Sequence, residues 1–380
     1  MKILIVGDFC PRGRVSKLIE KDKGVELFAP DVLQKIKESN YAIVNFECAV
    51  ADANSKPISK CGPNLRCSAK AVKVLKEAGF HCATLANNHF RDFGDEGVAM
   101  SIKAFNENGL EYCGGGLNIE EAEKVFYKRL DDGILAVINV CENEFSIATS
   151  TRAGSAPLET VRVFHKIKEA RQKSDYVLVI IHGGHEHYQL PSPRMKELYR
   201  FLIEVGADAV VNHHQHCYSG YEFFNGKPIV YGLGNFLFDH PKQRKSIWNE
   251  GYMAILEFSQ SSVKLEQIPY IQCDDEANVR LMNEMEHKRF DDNIEQFNVI
   301  ISDKNKLEQE MRVFVESRKR SVLGVFTPYM NEYVRAAASR HWLPYCLPKS
   351  KVLAMINYIS CEAQRDVTLD FLQDYTGINS

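Results

Sequence analysis

The 380-residue chain has no run of about 18 consecutive apolar residues, the length a helix needs to cross a bilayer, so no membrane span is expected. It has no Cys-x-x-Cys pair. Its eleven cysteines, an odd number, are scattered from Cys10 to Cys361 without the close spacing of a secreted disulfide framework. That usage points to a reducing compartment and to thiols serving mainly as small buried apolar residues. The apolar start, Met1 to Gly7, meets Asp8 too soon to be a signal peptide. Net charge is also nearly absent. With 47 Lys and Arg against 50 Asp and Glu, the balance of −3 sets up no global field toward nucleic acid or an anionic membrane. Internal repeats and low-complexity tracts are missing as well. A cytoplasmic protein is expected, with no nucleic-acid partner and an oligomeric state that composition leaves open.

What is present is an ordinary globular composition, 45% hydrophobic and 26% charged, enough for a domain of about 250 residues plus an appendage. Val/Ile-rich runs at 2–7, 41–46, 82–86, 134–140, 176–181 and 208–212 read as buried strands. Helical spacing predicts helices over 68–79, with a Ser68 cap and a Gly79 stop, and over 94–108, 159–173 and 192–205. Hairpins are expected at 125–141, turning at Asp131-Asp132-Gly133, at 221–231, turning at Asn225-Gly226, and at 251–271. This alternation is an α/β layer pattern. From about residue 275 the texture becomes charged and helical over 276–320 and 328–375, with breaks at Leu343-Pro344 and Leu347-Pro348. The division expected is a domain over 1–272 and a helical C-terminal extension over 273–380. The basic run Arg318-Lys319-Arg320 reads as a solvated helix face.

Polar residues gather just past five of the apolar runs, where ligands collect in sheets of this kind. They are Asp8; Asn45 and Glu47; Asn87, Asn88 and His89; His182, His185, Glu186 and His187; and His213 to His216. Two imidazoles separated by one residue in a loop can face one ion, and neutral imidazole suits Zn, Fe and Mn. Carboxylates supply hard ligands, and Glu47 is placed to bridge two cations. Each member has a plainer reading: Asp8 as a cap for a helix beginning near Gly13, Asn87-Asn88 as a turn, His185 and His187 as exposed residues like His165 and His287. Five such clusters at strand ends favour a shared site. Arg12 or Arg14 can clamp an anionic substrate oxygen.

Gly7-Asp8, Asn45-Phe46-Glu47, Leu85-Ala86-Asn87-Asn88-His89 with Asp92-x-Gly94, His182-Gly183-Gly184-x-Glu186, His213-His214-Gln215-His216 and Tyr231-Gly232-Leu233-Gly234-Asn235-Phe236 occur in this order over residues 1–260. The series resembles the CapA-type capsule (poly-γ-glutamate) synthesis family of the calcineurin-like metallophosphoesterase superfamily. The resemblance implies a four-layer α/β/β/α sandwich with two divalent metal ions, Mn, Zn or Fe, between the sheets. Asp8 and His216 would hold one ion, Glu47 would bridge, and Asn88, His182 and His214 would hold the second. His89 takes the place of the general-acid imidazole, with Asp8 beside it in the catalytic set. Asn45, Glu186 and Asn235 are expected to bind substrate, and His213 to support from behind. Two departures stand out. Cys10 replaces the His of the superfamily's first motif and could ligate as thiolate, and Gly183 replaces a Trp, which would open space.

Three functions follow. The first is a metal-dependent hydrolase acting on an anionic polymer or peptide-like substrate, at γ-glutamyl amide or phosphoester bonds. A second is a non-catalytic accessory subunit of capsule or poly-γ-glutamate synthesis. A third is a metal-independent peptide epimerase using an Asp8/His214 acid–base pair.

Overall fold

In the computed structural model, which describes residues 1–260, 262–326, 333 and 348–376, the strand Lys2–Phe9 shows how the layers arise. Alternate residues of an extended chain face opposite sides. Leu4 and Val6 enter one apolar cluster, while Ile3 and Ile5 enter another. The strand Tyr176–His182 divides in the same way: Leu178 and Ile180 join the cluster of Ile3 and Ile5, and Val177, Val179 and Ile181 enter a third. Two sheets therefore share a central apolar layer. The outer clusters pack against helices on either side, Val15, Val32, Leu75 and Phe105 on one, Val163, Ile167, Tyr199 and Leu202 on the other. This is the four-layer α/β/β/α sandwich that the resemblance implies.

The first sheet runs in the order Val279–Leu281, Val263–Gln272, Glu250–Phe258, Lys2–Phe9, Tyr41–Phe46, Cys82–Thr84 and Glu111–Cys113, with Asn235–Leu237 pairing beside Lys2–Phe9. The second runs Tyr221–Phe224, Lys227–Val230, Ala209–His213, Tyr176–His182, Gly133–Cys141 and Phe126–Leu130. Lys2–Phe9, Tyr41–Phe46 and Cys82–Thr84 are parallel, as are Gly133–Cys141, Tyr176–His182 and Ala209–His213. Each set therefore ends together. The register places Asp8 opposite Asn45 and His182 opposite His213, so clusters far apart in sequence become neighbours.

The three expected hairpins are present, and Asn225 (φ 51°) and Gly226 (φ 75°) occupy the left-handed turn positions their types favour. The helices Gly94–Asn108, Thr160–Lys173 and Pro193–Val205 form where spacing places them, the last capped by Ser192, whose side chain accepts from the Met195 N–H. Ser68 is different: its hydroxyl donates to Glu20, and Ala69 takes the cap position of Lys70–Ala78. The helical reading of 276–320 also needs correction. Val279–Leu281 is a strand, antiparallel to Val263–Gln272, before the helices Glu284–Ser302 and Lys304–Phe326 begin. A three-residue edge strand is held by its neighbour's ladder, so its own pattern carries little signal. Two further helices, Lys349–Ser360 and Glu362–Thr376, follow; of the expected breaks, all but Pro348 lie outside the described residues. Ten described cysteines are free and all but Cys61 are buried. Among the described residues no helix is long and apolar enough to cross a membrane.

Candidate metal centre

Glu47 is fully buried, and neither carboxylate oxygen has a hydrogen-bond partner. Burial of a carboxylate without partners is costly, and its surroundings say what would satisfy it. Ligand atoms of Glu47, His182 and His214 lie within 4.8 Å of one another, and so do those of Asp8, Glu47 and His216. The two groups share Glu47. Its Oε1 is 3.5 Å from His182 Nε2 and 3.8 Å from His216 Nε2. Asn88 Oδ1 is 3.1 Å from His182 Nε2, and His214 Nδ1 is 3.0 Å from the same atom. All six residues expected as ligands therefore meet in one buried cluster, whose donor set suits hard to borderline divalent cations.

Asp8 reaches this place because Gly7 lets two strand ends touch. A Cβ on Gly7 would sit 1.8 Å from the Gly234 carbonyl oxygen, which accepts the Asp8 N–H at 3.1 Å. The histidine turn is bent for the same purpose: His214 (φ 91°) and His216 (φ 56°) are both left-handed, an unfavourable conformation that non-glycine residues keep only where surrounding contacts impose it. Asp8 ties the turn down by accepting the His214 N–H at 3.3 Å, with His216 Nδ1 3.5 Å away.

Burial would push the Asp8 carboxyl up, but the His213 and His216 imidazoles outweigh it and hold Asp8 well below the usual carboxylate range. Burial and then the Asp8 charge hold Glu47 well above that range. Burial and the neighbouring His214 keep His182 neutral, while the Asp8 contact overcomes burial and raises His216.

Other expected site residues are placed as follows. Asn45, expected on substrate, is buried; its amide lies 2.7 Å from Asp8 Oδ1 and 3.2 Å from His182 Nδ1, between the two groups. Asn235, with the same expectation, is instead hydrogen-bonded to His216 Nδ1 at 2.9 Å. Arg14, expected to clamp substrate, has its guanidinium taken up by Asp239 and the carbonyls of Cys273, Asp274 and Asp275. Arg12 stands over the Phe238 ring, 5.9 Å from its centroid, in the aromatic wall that continues through Trp248 to His216. Glu186 and His187 are exposed at the mouth, whereas His185 is buried against Phe314, contrary to its reading as a surface residue. His165 and His287 are exposed. His213 is buried, 3.3 Å from Asp8 Oδ1. Asn87 holds the turn, donating to the Phe46 carbonyl. Cys10 belongs to the apolar core and to neither ligand group. Gly183 opens no space, because Glu142 fills it: a Cβ there would lie 2.7 Å from Glu142 Cγ.

His89 Nδ1 is 2.6 Å from Asp92 Oδ2, which fixes the ring with Nδ1–H donating and Nε2 free to accept. Lys60, buried beside them, pairs with Asp92 and lies 3.0 Å from His89 Nδ1. Burial, then the Lys60 charge, push His89 down to about 4, so the ring is neutral near pH 7. Lys60, Glu142 and Glu144 escaped the sequence reading. Lys60 lies in an irregular loop with no periodicity, and the two acids follow a strand as an unremarkable charged pair. Glu144 Oε1 is 3.8 Å from His214 Nε2, and burial, then Glu186, raise its carboxyl to about 8.

Residues 2–240 match the family model described as bacterial capsule synthesis protein PGA_cap. The chain belongs to this family. Capsule biosynthesis protein CapA of Bacillus anthracis is 33% identical over 247 residues, covering 63% of this chain and 60% of that protein. PGA biosynthesis protein CapA of Bacillus subtilis is 30% identical over 238 residues, covering 62% of each. A Mycobacterium tuberculosis protein described as a probable polyglutamine synthesis accessory protein is 25% identical over 219 residues, covering 53% of this chain and 56% of that one. The chain thus spans about three-fifths of the length of the CapA relatives it matches. The PGA_cap match takes in every residue of the buried cluster and stops before the C-terminal helices.

Proposed function

We propose that this chain is a metal-dependent hydrolase of the PGA_cap family, acting on an anionic or peptide-like substrate in a capsule or poly-γ-glutamate pathway. One observation carries the reading: a fully buried carboxylate, Glu47, with both oxygens unpartnered, shared by two triads of metal-ligating atoms. Asp8 and His216 would hold one divalent ion, Asn88, His182 and His214 the other, with Glu47 between them. Bound there, such ions would polarise an ester or amide centre and lower the pKa of a water. His89 Nε2, unprotonated and oriented through Asp92, would take a proton from the nucleophile and later return it to the leaving group. Arg12 and the exposed Glu186 and His187 line the approach. Of the expected division at residue 272, a helical C-terminal extension is kept in the proposal, but its start moves past the strand Val279–Leu281, which pairs in the first sheet. It places the chain, on its thiol-rich composition, in the cytoplasm.

The accessory reading has its own support in the description of the mycobacterial relative. Elemental analysis of purified protein beside Asp8→Asn and His216→Ala separates the two. The hydrolase reading expects stoichiometric transition metal in the parent, less in both variants, and chelator-sensitive hydrolysis of a phosphodiester or γ-glutamyl probe. Metal-free parent protein that still supports polymer synthesis would overturn it in favour of the accessory role, and a chelator-resistant epimerisation abolished by Asp8→Asn would favour the third.

A further inference from the structure

The C-terminal helices lie beyond the family-matched residues 2–240, yet they hold the loops at the mouth of the site. Arg194 is the link. Its guanidinium pairs with Glu142 at 2.5 Å on one side and with Asp366, on the helix Glu362–Thr376, on the other. Glu142 in turn accepts the Gly184 N–H at 3.1 Å, and its own N–H donates to the His182 carbonyl at 3.0 Å. The next helix contact repeats the arrangement: Glu362 accepts the Asn143 N–H at 3.1 Å.

The loop after His182 is gripped a second time. Tyr188 stacks on Phe314 of the helix Lys304–Phe326, ring centroids 4.3 Å apart, inside a small apolar cluster with Met311, Val315 and Val367. Arg318 donates to the Glu186 carbonyl at 3.0 Å, so the basic run expected to be a solvated face has a partner in its first residue. This loop is what braces the ligand turn. The Gly183 N–H donates to the His213 carbonyl at 3.3 Å, the His187 N–H to the Gln215 carbonyl at 2.8 Å, and the Gln215 amide to the Tyr188 carbonyl at 3.1 Å. The left-handed His214 and His216 need such bracing, because strained backbone persists only where the surroundings over-determine it.

We propose that the C-terminal helices are a clamp, with Arg194 as its central positioning residue, that holds the 183–188 loop against the His213–His216 turn and so keeps both imidazoles in ligating geometry. The proposal rests on the metal-centre reading for its consequence but not for its contacts. The test compares the full chain with Asp366→Asn, Asp366→Glu and Phe314→Leu, and with Glu308→Gln, a surface change on the same helical layer, as control. Two measurements are made: hydrogen exchange of peptides covering 183–188 and 212–216, and cobalt(II) titration followed by its visible absorption.

Asp366→Asn and Phe314→Leu should each accelerate exchange in both segments by about tenfold and weaken cobalt binding by about tenfold, the size seen when a group behind a ligand is lost. Asp366→Glu should restore most of both, and Glu308→Gln should change neither. Unchanged exchange in Asp366→Asn and Phe314→Leu, or equal change in Glu308→Gln, would overturn the clamp. A parent that takes up no cobalt would defeat the metal-centre reading alone, and the exchange measurement would still decide the clamp.

Discussion

Replacing Glu47 by Gln removes one charge and almost no volume, and it acts on the metal-free and metal-loaded protein in opposite directions. In the metal-free protein the buried carboxylate has no partner and its pKa is raised by burial and by Asp8. A raised carboxyl pKa means that the folded state binds a proton more readily than the unfolded chain, so stability declines as pH rises from the unfolded value toward the folded one. Above the folded-state value that penalty is fully present, and keeping the buried group charged rather than neutral costs on the order of 1–3 kcal/mol. Metal-free Glu47→Gln should therefore be more stable than the parent by about that amount.

With manganese at a hundred times its Kd, each ion adds about 2.7 kcal/mol to the parent. The unfolding entropy of a 380-residue chain is about 0.8 kcal/mol/K, which makes that increment roughly 3 °C per ion and about 7 °C for two. Glu47 belongs to both triads, so the variant should lose both increments. Thermal unfolding followed by circular dichroism, with and without manganese, reads the whole pattern. A variant that keeps a manganese shift of 7 °C, or that is less stable than the parent when both are metal-free, would refute the reasoning.

Two further outcomes follow from side chains outside the ligand set. Arg14→Met should lower stability by about 2 kcal/mol in urea unfolding while leaving metal content intact, because it strips the main charged partner from buried Asp239 and leaves it Arg244 at 3.6 Å and the residue-14 N–H; loss of substrate affinity with unchanged stability would restore the clamp role. His185 is buried, with burial, then Arg194, lowering its pKa to about 3, below the unfolded value near 6.5. The neutral ring is the folded form, so its contribution is complete above pH 6.5 and is lost as pH falls toward 3, about 2 kcal/mol by pH 5. His185→Phe should flatten the stability difference between pH 7 and pH 5 by that amount, and an identical pH slope in the two proteins would count against it.

Much of the candidate site was legible because the proposed metal ligation calls for a small set of residue types and a parallel sheet delivers them at strand ends. Asp8, Glu47, Asn88, His182, His214 and His216 each follow an apolar run, a one-dimensional mark of a three-dimensional position. Residues that act through another atom leave no such mark. Nothing local tells that Lys60, in an irregular loop, lies beside His89, or that Glu142 occupies the space at Gly183. Polarity misled in the other direction at Asn45, Asn235 and Arg14. Their types suit substrate, but their hydrogen-bonding groups are used up by Asp8, by His216 and by Asp239 with three carbonyls.

In the sequence by itself, the continuous apolar runs mark strands covered on both faces, since alternate residues of an extended chain such as Lys2–Phe9 face opposite sides and both sets must be buried; the four-layer arrangement is what the family resemblance implies. The candidate ligand types and the chain positions from which they come were legible there as well. Which of those groups come within one ion's reach was not legible there, because it depends on register between strands, on Gly7 admitting the Gly234 carbonyl, and on the left-handed bend at His214 and His216. Only the tertiary structure brought the C-terminal helices onto the loops of the site. The contacts of Arg194 with Asp366 and of Arg318 with Glu186 join residues more than a hundred positions apart, where no local pattern in either segment carries information about the other.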